Sequence, residues 1–339
     1  MKIVVLMGGT SAEREVSLAT GEAVASALVK AGHEVRRIDT AFGARQLTQE
    51  ATPHRVGPEP PRPSDLPQAQ GTLAIESVKT PSVKETDAVF LALHGGFGEN
   101  GGVQSVLDML GVAYTGSGPL ASAAAMDKDM AKRLFLHAGV STPPWFVLRR
   151  TEAGDAGNAM GRVVSEFGLP CVVKPNDQGS SVGMTIVQEK GQFEEALGLA
   201  SDYGEELLVE AYIPGRELTV SILEGHDLPV IEIVPNQGIY DYTSKYTAGM
   251  TRYEVPADIP EQTAREAKRQ GLKAFQALKC RDYARVDFRL SPEGQLFCLE
   301  VNTLPGMTAT SLVPKAAAAA GIAFPDLCRI LAEMAMKRK

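Results

Sequence analysis

The stretch from Lys2 to Ile38 constrains the fold more than any other part of the chain. An apolar run, Lys2 to Met7, is followed by Gly8-Gly9, a helical pattern from about Ala12 to Ala31, and a second apolar run, Glu34 to Ile38. A strand, a helix and a strand in this order form a βαβ unit, whose strands lie parallel in one sheet. The sequence therefore predicts an α/β protein that begins with a doubly wound parallel-sheet domain.

The turn after the first strand disfavours a dinucleotide-binding protein. It reads Gly8-Gly9-Thr10-Ser11-Ala12-Glu13 and lacks G-x-G-x-x-G spacing, although Asp39 follows the second strand, where an acid can bind ribose. Thr10 and Glu13 have the spacing of a capping box, which satisfies backbone N–H groups at a helix start. Glu13 is therefore predicted to cap the helix, with ligand binding as its less favoured role.

A tract rich in Pro, Gln and Thr separates Asp39 from Thr86. It contains several prolines between Pro58 and Pro63, and only Thr72 to Val78 reads as a strand. Such composition predicts an extended surface insertion.

Glycines and a histidine follow the next buried strand, Ala88 to Leu93. His94 begins a loop that continues to Gly102, and ligands bind at the carboxyl ends of strands in open α/β sheets. Glycines let backbone N–H groups approach a ligand, and His94 could donate to a substrate oxygen. A loop histidine with an ordinary structural hydrogen bond is an equal alternative.

A second Gly/Ser loop predicts phosphate binding. Strand Cys171 to Lys174 and strand Met184 to Val187 flank a loop that includes Gly179-Ser180-Ser181-Val182-Gly183, whose backbone amides and hydroxyls could close over phosphates. No G-x-x-x-x-G-K-[ST] sequence occurs, which excludes a P-loop. Lys174 at the strand end favours a phosphate ligand over an exposed lysine.

Two further stretches have the character of binding segments. The strand that ends at Glu210 leads through Ile213 to Glu217, a segment that could contact adenine and ribose or be a plain linker. Residues 239–249 combine aromatic, hydroxyl and cationic side chains in a long loop, which is typical of a lid.

A hairpin near the C-terminus places polar residues together. It runs from Tyr283 through the turn Ser291-Pro292-Glu293-Gly294 to Asn302. Its alternation predicts that Asp287 lies opposite Cys298, that Arg285 lies opposite Glu300, and that Phe297, Leu299 and Val301 share the apolar face. Arg285, Asp287, Glu300 and Asn302 would then converge, as oxygen ligands for Mg2+ with waters and phosphates, or as a solvated face with an Arg285–Glu300 pair.

Composition narrows the classes of function. The chain of 339 residues is 44% hydrophobic and has a net charge of -7, which disfavours nonspecific binding to nucleic acid or to an anionic membrane. Its four cysteines are far apart, which predicts neither a zinc site nor a disulfide framework and favours a cytoplasmic location. No apolar run reaches transmembrane length.

Taken together, the motifs resemble those of the D-alanine–D-alanine ligase family of the ATP-grasp fold. They are residues 8–17, His94-Gly95-Gly96-Phe97-Gly98-Glu99, residues 179–183, Asp241-Tyr242-Thr243-Ser244-Lys245-Tyr246, Arg285-Val286-Asp287-Phe288 and residues 300–308. They occur in the family's order from end to end, and departures occur at Asn100 and Asn176-Asp177-Gln178. The resemblance implies an N-terminal doubly wound domain, 1–121, with the Pro-rich insertion at about 41–86. A central ATP-grasp subdomain, 122–212, and a C-terminal one, 213–339, would follow.

The resemblance also implies an ATP site with two metal ions. ATP would be bound by Lys128, Lys174, Ser180, Ser181, Glu210, Ile213, Glu217 and Lys245. Asp287 and Glu300 would hold one Mg2+ and Glu300 with Asn302 the other, with Mn2+ as a substitute.

The implied reaction joins two D-alanines through an acyl phosphate, as a step in peptidoglycan synthesis by a homodimer. Glu13, His94, Arg285, Ser311 and Leu312 would bind substrate, and Arg285 with the Gly306 N–H would bind the oxyanion. Tyr246, Ser180 and Glu13 would form a hydrogen-bonded triad. Tyr246 favours an amine acceptor, since the family's D-alanine–D-lactate ligases tend to have phenylalanine there. D-Serine or D-lactate as acceptor, or a nucleotide-binding module without turnover, are the alternatives.

Overall fold

The computed structural model describes residues 1–43, 56–57, 59, 61, 63–67, 71–236, 242–247, 249–308 and 310–338. Within these ranges, no helix has both the length and the apolar character needed to cross a membrane. The helices are α1 (Arg14–Lys30), α2 (Gly71–Val78), α3 (Pro81–Lys84), α4 (Gly96–Glu99), α5 (Gly102–Met109), α6 (Pro119–Met126), α7 (Lys128–His137), α8 (Ala156–Glu166), α9 (Phe193–Ser201), α10 (Tyr242–Tyr246), α11 (Glu261–Ala277), α12 (Leu312–Ala319) and α13 (Phe324–Met336).

The N-terminal sheet is parallel, as predicted. Its strands are β1 (Lys2–Met7), β2 (Glu34–Asp39) and β3 (Ala88–Leu91), in the spatial order β2-β1-β3. Tyr114 adds a single parallel bridge to Val89 beside this sheet. Ile3, Val5 and Leu6 are almost completely buried, because both faces of the sheet are covered.

The prediction of an extended insertion with a strand at Thr72 to Val78 is wrong where the structure describes it. Residues 71–78 form helix α2 and residues 81–84 form helix α3, whose N-cap Thr80 accepts from the Val83 N–H. Val78 and Val83 are fully buried in the N-terminal core. Packing of these valines against distant residues favours helices at residues 71–78 and 81–84. Residues 44–55 of the predicted insertion lie outside the described ranges.

A central antiparallel sheet forms a separate core. Its strands are β4 (Trp145–Arg149), β5 (Cys171–Pro175), β6 (Thr185–Val187) and β7 (Glu206–Ala211), in the order β4-β7-β5-β6. Helices α8 and α9 contribute Val163 and Leu197 to its core. The open side of this sheet is left to face the site.

The C-terminal sheet contains the predicted hairpin. Its strands are β8 (Arg216–Leu223), β9 (Val230–Pro235), β10 (Thr251–Glu254), β11 (Tyr283–Leu290) and β12 (Leu296–Asn302), in the order β10-β9-β8-β11-β12. Helices α7 and α11 cover the face that carries Val220, Val286 and Phe288. Helix α13 packs on α1 and β3, so the end of the chain joins the N-terminal core.

The predicted hairpin register is wrong, because β12 contains a β-bulge. Asp287 pairs with Glu300 and Phe288 with Cys298, so Leu299 is the extra residue, and Arg285 lies opposite Asn302. Cys298 is fully buried in the core, whereas Leu299 turns to the opposite face. The bulge thus places Leu299 and Glu300 on the same side of the sheet.

Candidate active site

A cleft of about 700 Å3 lies where loops of the N-terminal sheet meet the C-terminal hairpin. Most of the predicted catalytic and substrate-binding residues line it, together with two of the predicted ATP ligands and two of the predicted metal ligands: Glu13, His94, Ser180, Arg285, Gly306, Ser311 and Leu312, then Lys128 and Lys245, then Glu300 and Asn302. These residues come from distant parts of the sequence and meet only in the folded chain.

A smaller cavity of about 120 Å3 adjoins the cleft and shares Lys128, Lys245 and Glu300 with it. Its wall includes a cluster of apolar side chains: Val172, Val182, Met184, Ile186 and Leu299. The cavity also contains the other predicted nucleotide and metal ligands, Lys174, Ser181, Glu210, Ile213, Glu217 and Asp287. An apolar slot that opens onto cations suits a ligand with a flat ring at one end and negative charge at the other.

Glu13 does not form the predicted capping box. It is the N-cap residue of α1, but its side chain makes no capping bond, and its N–H donates instead to Ser11 Oγ at 3.3 Å. The Glu13 carboxylate accepts a hydrogen bond from the Ser180 hydroxyl, which lies 167 residues away in the chain. This long-range partner prevailed over the local cap, and it joins the Gly/Ser loop to the N-terminal sheet.

Two members of the predicted triad are therefore in contact. Tyr246 ends helix α10, but its side chain lies outside the described residues. Lys245, in the same helix, donates from Nζ to Ser181 Oγ at 2.9 Å. Ser180 and Ser181 both have left-handed backbones, with φ of 51° and 58°, which is uncommon outside glycine and occurs at ligand-binding sites.

His94 is buried at the end of the strand β3 segment. Its Nε2 lies 3.0 Å from Thr20 Oγ1, and its carbonyl accepts from Ser11 Oγ at 2.5 Å. Burial lowers the pKa of His94, while the nearby Glu13 carboxylate acts in the opposite direction. The imidazole is therefore held as a neutral group at the wall of the cleft.

Glu99 is a site residue to which the sequence assigned no role. Its Oε2 accepts from the Gly95 N–H at 2.9 Å, which closes the glycine loop after His94. Burial, followed by the Glu13 carboxylate, raises the pKa of Glu99 to about 8. The position of Glu99, four residues after Gly95 in a glycine-rich loop, was the sequence signal that could have indicated its role.

Glu210 lies between two lysines. Lys174 Nζ is 2.5 Å from Oε1, and Lys132 Nζ is 2.7 Å from Oε2. Burial raises the pKa of Glu210, but the two lysines outweigh it and lower the pKa to about 2. Lys132 was missed by the sequence analysis, although it lies one helical turn after Lys128 on α7.

Glu217 has a different environment, organised by Arg289, which the sequence analysis also missed. Arg289 lies 3.4 Å from the Glu217 carboxylate and donates to the carbonyls of Ile213 and Gly215 at 3.0 and 2.8 Å. Burial raises the pKa of Glu217 to about 7, because Lys245 and Arg289 compensate it only in part. Arg289 continues the period-2 face of Arg285 and Asp287, which was the signal in the sequence.

The hairpin face brings the predicted metal ligands together. Asp287 and Glu300 are direct cross-strand neighbours, and Asn302 lies two residues along β12. Asp287 accepts from Thr219 Oγ1 at 2.6 Å and from Arg285 Nη2 at 2.8 Å, while Lys128 Nζ lies 3.7 Å from Glu300. Burial raises the pKa of Glu300, but the surrounding cations, Lys128 foremost, lower it to about 2.

This donor set fits a magnesium ion by its chemistry. Within the described ranges no three His, Cys, Asp or Glu side chains cluster as metal ligands, so the set consists of two carboxylates and one carboxamide. All three supply hard oxygen atoms, and so small a set leaves positions for water and phosphate. The observed Arg285–Asp287 pair means that Arg285 must share or release Asp287 when a cation binds.

The far end of the large cleft is formed by the segment before α12. Ser311 Oγ accepts from the Thr308 N–H at 3.0 Å, and a Cβ on Gly306 would lie 2.9 Å from that oxygen. Leu312 begins α12, so its N–H is among those that lack a partner inside the helix. Gly306, Ser311 and Leu312 thus present backbone and hydroxyl donors at one end of the cleft.

Comparison with known proteins identifies first the class and then the family. A crystal structure of D-alanine–D-alanine ligase from Bacillus anthracis complexed with ATP superposes with a TM-score of 0.76, at 34% identity, covering 100% of this chain and 97% of that one. A VanG D-Ala:D-Ser ligase from Enterococcus faecalis superposes with a TM-score of 0.76 at 28% identity, covering 98% of each chain. The fold is therefore that of the ATP-grasp ligases.

The sequence comparisons are more specific. Residues 2–117 match the family "D-ala D-ala ligase N-terminus", and residues 134–333 match "D-ala D-ala ligase C-terminus". A D-alanine–D-alanine ligase of Pelotomaculum thermopropionicum is 43% identical, over 99% of this chain and 97% of its own. The chain belongs to the D-alanine–D-alanine ligase family.

Proposed function

We propose that this protein is an ATP-dependent ligase that joins two D-alanines into D-alanyl-D-alanine. The observation that carries the proposal is that the two cavities share part of their lining. A slot with apolar and cationic walls shares Lys128, Lys245 and Glu300 with a cleft that carries Glu13, Arg285 and Ser311. A nucleotide in the slot would direct its terminal phosphate toward a substrate in the cleft.

The slot has the groups that a nucleotide requires. Val172, Ile186 and Leu299 offer apolar contact to adenine, and Glu217 offers an acceptor for ribose. The phosphates would meet Lys128, Lys174 and Lys245, together with Ser180 and Ser181 in the Gly/Ser loop. Glu210 and the main chain at Ile213 would contact the adenine edge. ATP is therefore the proposed phosphoryl donor.

Mg2+ would be held by Asp287 with Glu300 and by Glu300 with Asn302, with Mn2+ as a substitute. Bound there, the ions would neutralise charge on the β- and γ-phosphates. Arg285 lies on the same face, and once it has released Asp287 it can turn toward the substrate.

The proposed reaction has two steps. The carboxylate of the first D-alanine attacks the γ-phosphorus of ATP. The bond between the γ-phosphorus and the bridging oxygen of ADP breaks, and an acyl phosphate forms. The amine of the second D-alanine then attacks the acyl carbon, loses a proton, and inorganic phosphate leaves with the C–O bond electrons. Arg285 and the Gly306 N–H would stabilise the oxyanion of the tetrahedral intermediate.

Substrate binding would use charge and backbone donors at opposite ends of the cleft. Glu13 would pair with the ammonium group of the first D-alanine while it retains Ser180, and His94 would orient that substrate. Ser311 and the Leu312 N–H would hold the carboxylate of the second D-alanine. Tyr246 would complete the triad with Ser180 and Glu13.

The biological setting is part of the same proposal. The dipeptide would be used for the synthesis of peptidoglycan precursors in the cytoplasm. The enzyme would be a homodimer, and each subunit would have three domains with boundaries near residues 121 and 212. A second acceptor is considered because the VanG relative is a D-Ala:D-Ser ligase. The net charge of -7 supports a small-molecule substrate over nucleic acid.

A coupled assay of ADP release over a panel of D-amino acids and D-lactate tests the proposal. We expect release that requires Mg2+ and D-alanine, with D-alanyl-D-alanine as the product identified by mass spectrometry. ADP release that no D-amino acid stimulates would contradict the ligase assignment. Greater stimulation by D-serine or D-lactate would identify that compound, in place of D-alanine, as the second substrate.

A further inference from the structure

Lys132 is a buried cation that lines neither cavity. Its side chain is 0% exposed, and its ammonium lies 2.7 Å from Glu210 Oε2, 2.8 Å from Thr142 Oγ1 and 3.2 Å from the Pro143 carbonyl. The ring centroid of Trp145 lies 5.1 Å away. Burial lowers the pKa of Lys132, and the Glu210 carboxylate acts in the opposite direction. The ion pair with Glu210, the two hydrogen bonds and the aromatic face together favour the charged form of Lys132.

Glu210 lies between Lys132 and the lysine that lines the nucleotide slot. Its other oxygen binds Lys174, whose side chain is 12% exposed and lines the slot. Two ammonium groups and one carboxylate leave the cluster with a net charge of +1. If Lys132 were neutral, Glu210 would cancel Lys174, and the cluster would carry no net charge.

We infer that Lys132 is a positioning residue for nucleotide binding. It neutralises Glu210 from the buried side and so leaves the positive charge of Lys174 available to phosphate. This inference rests on the proposed function, because it presupposes ATP in the slot. The cluster would then favour phosphorylated nucleotides over nucleosides, since adenosine carries no charge that could respond to Lys132.

Four proteins test this inference: the wild type, Lys132→Met, Glu210→Gln and the double variant. Methionine retains the apolar stem of lysine without its charge, and Lys190→Met, at an exposed site in the same subdomain, is the matched control. Affinity for Mg-ATP and for adenosine is measured by titration calorimetry, with thermal unfolding as a check on folding.

The expected result is a selective loss. Lys132→Met should lower ATP affinity roughly tenfold or more while adenosine affinity stays within about twofold. The double variant should recover the wild-type ratio of ATP to adenosine affinity, because Lys174 regains its uncompensated charge while any loss of the Glu210 contact with adenine affects both ligands. Lys190→Met should match the wild type.

Several outcomes would overturn the inference. They are equal losses of ATP and adenosine affinity in Lys132→Met, no loss of either, or a double variant whose ratio of ATP to adenosine affinity is no higher than that of Lys132→Met. If Lys132→Met fails to fold, Glu210→Gln decides: the ratio of ATP to adenosine affinity should rise, and an unchanged or lower ratio contradicts the charge argument. A wild-type protein that binds no ATP would overturn the proposed function as well.

Discussion

At the scale of single residues, the site is a set of buried and partly buried carboxylates whose charges depend on the cations that each one meets. Glu210 and Glu300 each face several cations, which lower the pKa of both to about 2 against the opposing effect of burial. Burial prevails at Glu217 and Glu99 and raises their pKa values to about 7 and about 8. Four glutamates in neighbouring positions therefore differ in charge near neutral pH.

Glu300→Gln tests the proposed metal ligands. Glutamine has nearly the same shape but no charge, so we expect ADP release to fall on the order of a hundredfold or more. The melting profile should remain close to that of the wild type, because Glu300 lies partly exposed at the cleft. Unchanged turnover in a natively folded variant would refute the assignment.

Glu99→Gln tests the raised pKa. Between about pH 4.3, where an unfolded glutamate ionises, and about pH 8, folded Glu99 holds a proton that the unfolded chain has released. The free energy of unfolding should therefore decrease as pH rises through this window. Glutamine cannot ionise, so the variant should lose less thermal stability between pH 5 and 8.

The exposed Glu85→Gln is the control for this series and should follow the pH dependence of the wild type. If Glu99→Gln and Glu85→Gln show the same dependence as the wild type, Glu99 is already ionised at neutral pH. Each midpoint is measured without nucleotide, since a bound ligand adds its own linkage.

At the scale of elements, the Gly/Ser loop is the part of the structure that connects the domains around the site. Ser180 contacts Glu13 before α1, and Ser181 contacts Lys245 in α10. A Cβ on Gly179 would lie 2.4 Å from Glu13 Oε2, so only glycine permits this approach without displacement. The loop thus connects Glu13, the proposed partner of the first substrate's ammonium group, with Lys245, a proposed phosphate ligand.

Gly179→Ala should disturb this connection. The added methyl group must displace the Glu13 carboxylate, so we expect kcat/KM for D-alanine to fall roughly tenfold to a hundredfold. Gly191→Ala is the matched control, because a Cβ there meets nothing within 4 Å. Steady-state kinetics that do not distinguish the two variants would show that Glu13 relocates without cost.

At the scale of the whole molecule, the end of the chain fastens the N-terminal sheet to the C-terminal hairpin. Arg338 binds the buried carboxylate of Asp282, just before β11, and donates to the Tyr114 carbonyl at 2.6 Å. Asp282 in turn accepts from the Gly116 N–H at 2.9 Å. Arg338 and Asp282 thereby connect the segment after β3 with the start of the hairpin.

Arg338→Met should destabilise the folded protein by about 1–3 kcal/mol, because it leaves the buried Asp282 carboxylate with fewer partners. Urea unfolding measures the loss, and Lys337→Met, at the exposed neighbouring position, should have little effect. Equal stability of both variants and the wild type would show that solvent replaces the guanidinium at Asp282.

Local pattern was sufficient for much of the architecture. The βαβ start, the parallel N-terminal sheet, the hairpin turn and the long first helix over residues 14–30 are confirmed, because period and turn residues act over short distances. The bounds differ by a few residues at most of these elements. The residue types of the site were also readable, since glycine loops and strand-end lysines are local signals.

Tertiary structure decided what depends on distant partners. Residues 71–78 form a helix whose Val78 is buried in the core. The Glu13 carboxylate binds Ser180 instead of capping α1, and the bulge at Leu299 shifts the hairpin register. Tertiary structure also placed Lys132 behind Glu210. By itself, the sequence determined the elements and the chemistry of their ends. Only the folded chain decided which charges meet, because burial and pairing depend on contacts between distant segments.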